Sequence, residues 1–239
     1  METLQTYLEQ WNIILSNDRI RQFQKYYDLL VEWNSFMNLT TITEPKDVII
    51  KHFVDSLALG HYLDLKAQTV LDLGTGAGFP GIPLKIAFPS LRITLADSQQ
   101  KRIRFLNTVL HELSFDDVIT LHGRAEDLAK MKEYREQFDI CTSRAVANLT
   151  TLSEYCIPFV KTGGYFVSYK SEKTETELVE AQYAIRILGG KVERTESFLL
   201  PETDLKRSLI FIAKNRSTPA KYPRKAGTPS KELLSDRRS

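Results

Sequence analysis

Apolar positions in the first 62 residues recur at helical spacing. Ile20, Phe23, Tyr26, Tyr27, Leu30 and Trp33 return every three or four positions and trace one buried stripe. Asp18 is placed to cap this helix and Asn38 to end it. After Pro45 a second stretch of the same kind carries Val48, Ile49, His52, Phe53 and Leu57. From about residue 69 the pattern changes. Short β-favouring runs at 69–73, 91–96, 117–121, 138–142 and 164–169 alternate with helical stretches at 80–88, 98–113, 126–134 and 149–157. That alternation predicts a parallel sheet covered on both faces. A helix at 174–188, stopped by Gly189-Gly190, leads to two more strands at 191–199 and 207–213. Their connection around Pro201 is short, which allows antiparallel pairing, whereas a parallel pair needs a long crossover.

With 239 residues the chain has room for one core of moderate size and a small extra lobe. Three regions are expected: a helical region at 1–62, a sheet domain at 63–213 and a tail at 214–239. No apolar run approaches the roughly 18 residues of a membrane span. Met1-Glu2-Thr3-Leu4 lacks the basic and apolar regions of a signal peptide. Cys141 and Cys156 sit in apolar surroundings and read as reduced core residues, so a cytoplasmic protein is expected. Charge is distributed unevenly. Residues 214–239 hold eight Lys or Arg against Glu232 and Asp236, a net of +6, and the rest of the chain carries −4. A basic tail on a mildly acidic body suits a polyanion partner; the plainer reading is a solvated terminus.

Chemistry concentrates where the first strand ends. Val70-Leu71-Asp72-Leu73-Gly74-Thr75-Gly76-Ala77-Gly78-Phe79-Pro80-Gly81 reads as a buried strand, a glycine turn and a helix N-terminus, with Pro80 in the first turn. Such a unit places a nucleotide-type site at the carboxyl end of a parallel sheet. Two patterns compete. Gly76, Gly78 and Gly81 satisfy the dinucleotide spacing, which is weak on its own. Asp72, Gly74, Gly76 and Gly78 satisfy the acid-x-G-x-G-x-G spacing of S-adenosylmethionine (SAM) sites. Asp97, directly after the second strand, can accept from both ribose hydroxyls of either cofactor. Three features favour SAM. Asp72 precedes the first glycine, where its carboxylate can help hold the methionine ammonium. The sheet closes with an antiparallel pair. No second domain remains for a hydride acceptor. Five parallel strands and a final antiparallel pair make a seven-stranded, mostly parallel sheet of the class I SAM-dependent methyltransferase (Rossmann-like) type, here with an N-terminal helical extension.

Two further loops follow strands. Gly123-Arg124-Ala125-Glu126-Asp127 lies where such a fold meets the adenine, so that an acid can accept from the N6 amine; either acid can equally cap the next helix. Thr142-Ser143-Arg144-Ala145-Val146-Ala147-Asn148 lies where many methyltransferases approach their target atom. Arg144 is its conspicuous polar group, able to bind phosphate, to donate to a guanine O6, or simply to form a salt bridge. Lys170, at the end of the fifth strand, is a weaker candidate for a phosphate contact. The four histidines are scattered without a metal-ligand or triad pattern, so no metal is expected, and His52 reads as a satisfied core histidine.

The chain resembles the glucose-inhibited division protein B family, the bacterial 16S ribosomal RNA guanine-N7 methyltransferases. The resemblance covers nearly its whole length. It rests on Glu32-Trp33-Asn34 with Met37-Asn38-Leu39-Thr40, on Lys51-His52-Phe53-Val54-Asp55-Ser56-Leu57 and on the run from Asp72 to Leu84. It continues through Gly123-Arg124-Ala125-Glu126, Ser143-Arg144-Ala145-Val146-Ala147 and Tyr222-Pro223-Arg224-Lys225-Ala226-Gly227-Thr228-Pro229. Family members often carry Arg where Lys51 stands, so charge is kept while a bidentate contact is not. The resemblance implies SAM contacts at Gly74, Phe79, Ala125, Glu126 and Arg144. It implies 16S rRNA, or the small ribosomal subunit, as substrate; a monomer with no metal and no membrane partner is expected. Guanine N7 carries an in-plane lone pair and no proton, so transfer needs no general base, and Arg144 serves to position the base. Tyr222 offers a stacking face and Arg224 and Lys225 offer phosphate contacts in a tail that Pro219, Pro223 and Pro229 keep from being helical. The competing expectations are an NAD(P)-dependent oxidoreductase, a SAM enzyme acting on a small molecule, and a non-enzymatic RNA-binding or assembly factor on the same fold.

Overall fold

A computed structural model describes residues 1–144, 147–171 and 174–236; Ala145, Val146, Arg237 and Arg238 lie outside the described residues. Seven strands form one sheet in the order β3-β2-β1-β4-β5-β7-β6. They are β1 (Thr69–Leu73), β2 (Arg92–Asp97), β3 (Ile119–His122), β4 (Phe138–Arg144), β5 (Val160–Lys170), β6 (Gly190–Leu199) and β7 (Lys206–Lys214). Strands β1 to β5 pair in parallel, while β7 pairs antiparallel with both β5 and β6. The chain runs from β1 outward to β3 and then crosses to β4 on the other side of β1. That reversal opens a crevice at the carboxyl ends of β1 and β4.

Each strand feeds two cores, because successive side chains point to opposite faces. Val70, Leu95, Ile140, Val167 and Phe211 belong to one core; their neighbours Leu71, Ala96, Cys141, Phe166 and Ile212 belong to the other. The first core is covered by α1 (Glu2–Glu9), α2 (Asn17–Met37), α3 (Pro45–Val48), a π-helical stretch (Ile49–Val54), α4 (Asp55–Tyr62), α5 (Gly81–Ala87) and α6 (Gln100–Glu112). The N-terminal helices therefore share the core of the sheet. The second core is covered by α8 (Leu149–Cys156), α9 (Thr174–Ile187) and residues of the tail, with α7 (Ala125–Leu128) at its margin.

Several boundaries differ from expectation. Ser16, not Asp18, is the N-cap of α2, its hydroxyl accepting from Arg19 N; Asp18 lies in the first helical turn and pairs with Arg21. Asn38 ends α2 in the left-handed conformation at φ 49°, as an Asn can. The helix expected at 126–134 is only the four-residue α7. Beyond it the bonds shift to Lys130 N with Asp127 O and Met131 N with Leu128 O, a tighter turn that leaves the α-helical ladder. The tail holds a short helix after all, α10 (Thr228–Lys231), with Pro229 in its first turn, where a missing N–H costs nothing.

Candidate active site

Strand β1 delivers the chain into the glycine turn, where Gly74, Gly76 and Gly78 have φ of 72°, 62° and 102°. Those values favour glycine. Both Gly74 N and Thr75 N donate to Ala96 O, and Gly76 N donates to Asp97 Oδ2 at 3.0 Å, so the turn is stitched to the end of β2. A Cβ at Gly78 would lie 2.4 Å from Ile82 Cδ1 and 2.8 Å from the Tyr26 hydroxyl. Tyr26, from α2, donates that hydroxyl to Ala77 O. Its burial raises the phenol well above its ordinary pKa, so it remains a donor. Phe79, at the end of the turn, stacks on His52 with centroids 4.4 Å apart.

Asp72 lies beneath this turn, fully buried. Its Oδ2 accepts from Thr75 Oγ1 at 2.6 Å and from Gly81 N at 2.8 Å, and its Oδ1 has no hydrogen-bond partner. Burial raises its pKa to about 6, opposed by the bonds from Thr75 and Gly81. The two bonds to Oδ2 tie the turn to the start of α5.

Above the turn lies a cleft of about 170 Å³, bordered by Gly74, Asp97, Ala125, Glu126, Ser143 and Tyr155. Asp97 is buried and held at both oxygens, Oδ1 accepting from Gln99 N at 2.8 Å and Oδ2 also facing Arg102 Nη1 at 3.2 Å. Glu126 is buried at the other end, its Oε1 accepting from Gly227 N at 2.8 Å. A second space of about 390 Å³ runs over Gly76 and Phe79 to Arg102, His52 and Arg144, sharing Gly74 and Asp97 with the first. Around Gly76 no atom of the described residues beyond its two chain neighbours lies within 4 Å of where a Cβ would stand, so a ligand can approach the backbone there. A side-chain-free cradle between two buried carboxylates suits an elongated nucleoside with a charged end, and so fits SAM. Among the described residues no group of three or more His, Cys, Asp or Glu is placed to hold a metal ion.

Arg144, at the end of β4, closes the far side. Its Nη1 donates to Asp55 Oδ2 at 3.0 Å and Lys51 O at 3.2 Å, and its Nη2 to His52 Nδ1 at 3.1 Å. Its Cζ lies 4.9 Å from the Phe79 ring centre. A guanidinium only donates, so His52 Nδ1 must be the unprotonated nitrogen. The proton then sits on Nε2, which donates to Thr40 Oγ1 at 3.0 Å. Desolvation, with the Arg144 charge behind it, lowers the His52 pKa to about 3. Thr40 is held in turn by Asn34, whose Oδ1 accepts from Leu39 N and Thr40 N. The Asn34, Leu39-Thr40 and Lys51–Asp55 blocks of the sequence thus converge on one guanidinium. Lys51 and His52 belong to the π-helical stretch, a widened turn of a kind common at functional sites.

A third cavity, of about 340 Å³, lies beyond Arg144 and is bordered by Lys51, Asp55, Lys170, Glu177 and Arg207. Burial pushes the Asp55 carboxyl up, opposed by the charges of Arg144 and Arg207. Arg207 Nε is 3.8 Å from Asp55 Oδ1. His52, Asp55, Thr40 and Arg207 were not among the expected site residues. Only the Lys51–Leu57 block and the lone Thr40 beside Asn34 signalled the first three, and nothing in the spacing of β7 signalled Arg207.

Three of the four side chains expected to meet RNA make internal contacts instead. Lys170, its side chain 8% exposed, donates to Ala147 O at 2.8 Å and pairs at 2.7 Å with Glu177, which also accepts from Leu149 N. Tyr222 is packed in the second core, so its ring is no open stacking platform. Arg224 grips the buried Glu154, with Nη2 at 2.7 Å and Nε at 3.0 Å. Lys225 is exposed. Arg135 donates to carbonyls of Thr218 and Tyr222, so the tail through Glu232 is docked rather than merely solvated.

The sequence family described as rRNA small subunit methyltransferase G matches residues 19–209. The chain belongs to the rRNA small subunit methyltransferase G family. A family member from Lachnoclostridium phytofermentans, named ribosomal RNA small subunit methyltransferase G, is 55% identical over 221 residues, covering 92% of this chain and 91% of its own. One of the same name from Staphylococcus epidermidis is 54% identical over 235 residues and 98% of each chain. Solved structures of low sequence identity share the fold. A SAM-dependent methyltransferase from Aquifex aeolicus matches at a TM-score of 0.52 and 17% identity, over 71% of this chain and 93% of its own. TrmN from Thermus thermophilus matches at 0.52 and 13%, over 70% and 53%. Like its family, the chain is a methyltransferase, and the glycine turn, Asp97, Glu126 and Arg144 lie at the edge of the sheet where that fold opens.

Proposed function

We propose that the protein methylates N7 of a guanine in 16S rRNA, with SAM as donor. Support comes above all from one observation: the glycine turn at Gly74–Gly78 lies between Asp97 on one side and Arg144 on the other, with open space bordered by all three. Bound SAM supplies an electrophilic methyl group on a sulfonium. Asp97 accepts from ribose hydroxyls, Ala125 and Glu126 face the adenine, and Gly74, Gly76, Gly78 and Phe79 shape the floor. Arg144 is fixed by Lys51 O, Asp55 and His52, and one remaining N–H donates to the guanine O6, presenting N7 to the methyl group. No proton has to leave N7, so His52, held neutral, is not needed as a base. Positioning of this kind can supply on the order of 7–11 kcal/mol of the barrier.

The target base reaches Arg144 from the cavity beyond it, where Lys51 and Arg207 lie at hand for the flanking phosphates, with Lys225 contacting RNA farther out. The region 1–62 serves as the wall of the site, residues 63–213 as its floor and the tail as its strap. The enzyme acts as a cytoplasmic monomer on rRNA or the small subunit; no described helix is long and apolar enough to cross a membrane.

The deciding experiment incubates unmodified 16S RNA and 30S particles with labelled SAM and maps the methyl group. Label on a guanine N7 is expected. Label on an exocyclic amine or a ribose would overturn the base-free mechanism, and binding of NADH in place of S-adenosylhomocysteine would overturn the cofactor.

A further inference from the structure

Glu126 borders the cleft, yet a backbone donor of the tail occupies one of its oxygens. Gly227 N donates to Glu126 Oε1 at 2.8 Å, across 101 residues of sequence. The segment that carries Gly227 is anchored on either side. Arg224 grips Glu154, which is 1% exposed, through its backbone N, Nε and Nη2. Thr151 Oγ1 donates to Pro229 O at 3.2 Å. Both anchors stand on α8, the helix whose Leu152 and Tyr155 border the same cleft. Gly227 itself sits at φ 84°, with no atom of the described residues beyond its two chain neighbours within 4 Å of a would-be Cβ. The position demands a glycine-like backbone, not a small side chain.

A carboxylate bound at one oxygen has its plane and its second oxygen oriented by that bond. We propose that the tail from Tyr222 to Glu232 is a positioning element for cofactor recognition. The Gly227 N–H holds Glu126 so that its other oxygen receives the exocyclic amine of an adenine. This rests on the SAM reading above. This role of the tail lies at the nucleoside end of the site and is separate from the RNA contact of Lys225. Linkage adds a consequence: if the docked tail improves nucleoside affinity, the nucleoside must tighten the tail equally.

Isothermal titration of the full chain with S-adenosylhomocysteine and with S-inosylhomocysteine, where a carbonyl replaces the amine, tests it. Wild-type protein is expected to prefer the adenosyl compound. Gly227→Val, whose β-branched side chain cannot adopt this φ, is expected to lose on the order of tenfold in adenosyl affinity and most of the preference. Gly227→Asn, which tolerates the left-handed region, is expected to stay within about twofold. Equal losses for both ligands, or none, would overturn the proposal. A second measurement needs no variant: S-adenosylhomocysteine is expected to slow hydrogen exchange at the Gly227 amide of the wild type, and unchanged exchange on saturation would also overturn it. Failure of wild-type protein to bind S-adenosylhomocysteine at all would strike the cofactor reading instead.

Discussion

Arg144 and Asp55 form a paired charge inside the site: Nη1 and Oδ2 are 3.0 Å apart, with 13% and 6% of the two side chains exposed. Breaking such a pair from one side leaves a buried charge uncompensated, at a cost of about 3–5 kcal/mol. Arg144→Ala is therefore expected to abolish methyl transfer and to destabilise the fold by roughly that amount. Adding Asp55→Asn should recover most of the stability and none of the transfer. Urea unfolding and labelled-methyl transfer on the two variants check this; turnover near wild type in Arg144→Ala would remove the guanidinium from the chemistry.

His52 makes stability depend on pH. Its pKa falls from an ordinary 6.5 to about 3, so the folded protein binds fewer protons than the unfolded chain between those values. The contribution is fully present above pH 6.5 and is lost as pH falls toward 3, reaching about 2 kcal/mol at pH 5. In His52→Asn, which keeps an acceptor for Arg144, the difference in unfolding free energy between pH 7.5 and pH 5 should shrink accordingly. An unchanged difference would mean that the ring is not held neutral.

Asp72 acts in the opposite sense. Its pKa rises from 3.8 to about 6, so the folded state binds the proton more tightly. Ionised Asp72 costs stability as pH climbs from about 4 to 6, and the cost is complete above that. Asp72→Asn should gain on the wild type over that window and hold a constant offset at higher pH. A flat difference from pH 4 to 8 would contradict the burial argument.

Gly78 and Gly76 should respond differently to alanine. At Gly78 the new Cβ meets Ile82 and Tyr26 at 2.4 and 2.8 Å, while at Gly76 it meets nothing. Both carry left-handed strain of roughly 1–2 kcal/mol. Gly78→Ala is expected to lower the melting temperature well beyond Gly76→Ala, whereas Gly76→Ala should show mainly as weaker S-adenosylhomocysteine binding, its Cβ filling the cradle. Equal melting temperatures would show that α2 does not clamp the turn.

Removal of residues 214–239 takes away the partners of Glu126, Glu136 and Glu154 together. The shortened chain should melt earlier than the full one and bind RNA with a flatter salt dependence, since it also loses exposed cations such as Lys225. A melting temperature equal to wild type would mean that the docked tail contributes nothing to the fold.

Elements carried by local pattern were legible in the sequence. The glycine run, the strand that precedes it and the alternation of strands and helices follow from spacing alone, as does antiparallel pairing around Pro201. What escaped was set by the partners that the fold brings to a side chain. Lys170 meets Glu177, and Arg224 meets Glu154, 70 residues away, so charges that look free for RNA are neutralised inside. Asp72 faces inward because Thr75 and Gly81 offer it two donors beneath the turn, an arrangement no one-dimensional motif distinguishes from an outward one. His52 fitted the expectation of a satisfied histidine, yet the bond that satisfies it is the one that aims Arg144.

The widened coil at Ile49–Val54 has a consequence for how this protein can change. A π turn accommodates one residue more than the α-helical ladder around it. Losing a single residue there would let the segment relax into ordinary helix and swing the side chains before it by roughly 100° relative to those after it. Substitution can drift through this stretch; a change of length cannot, because Lys51 O, His52 and Asp55 reach Arg144 together only at the present count.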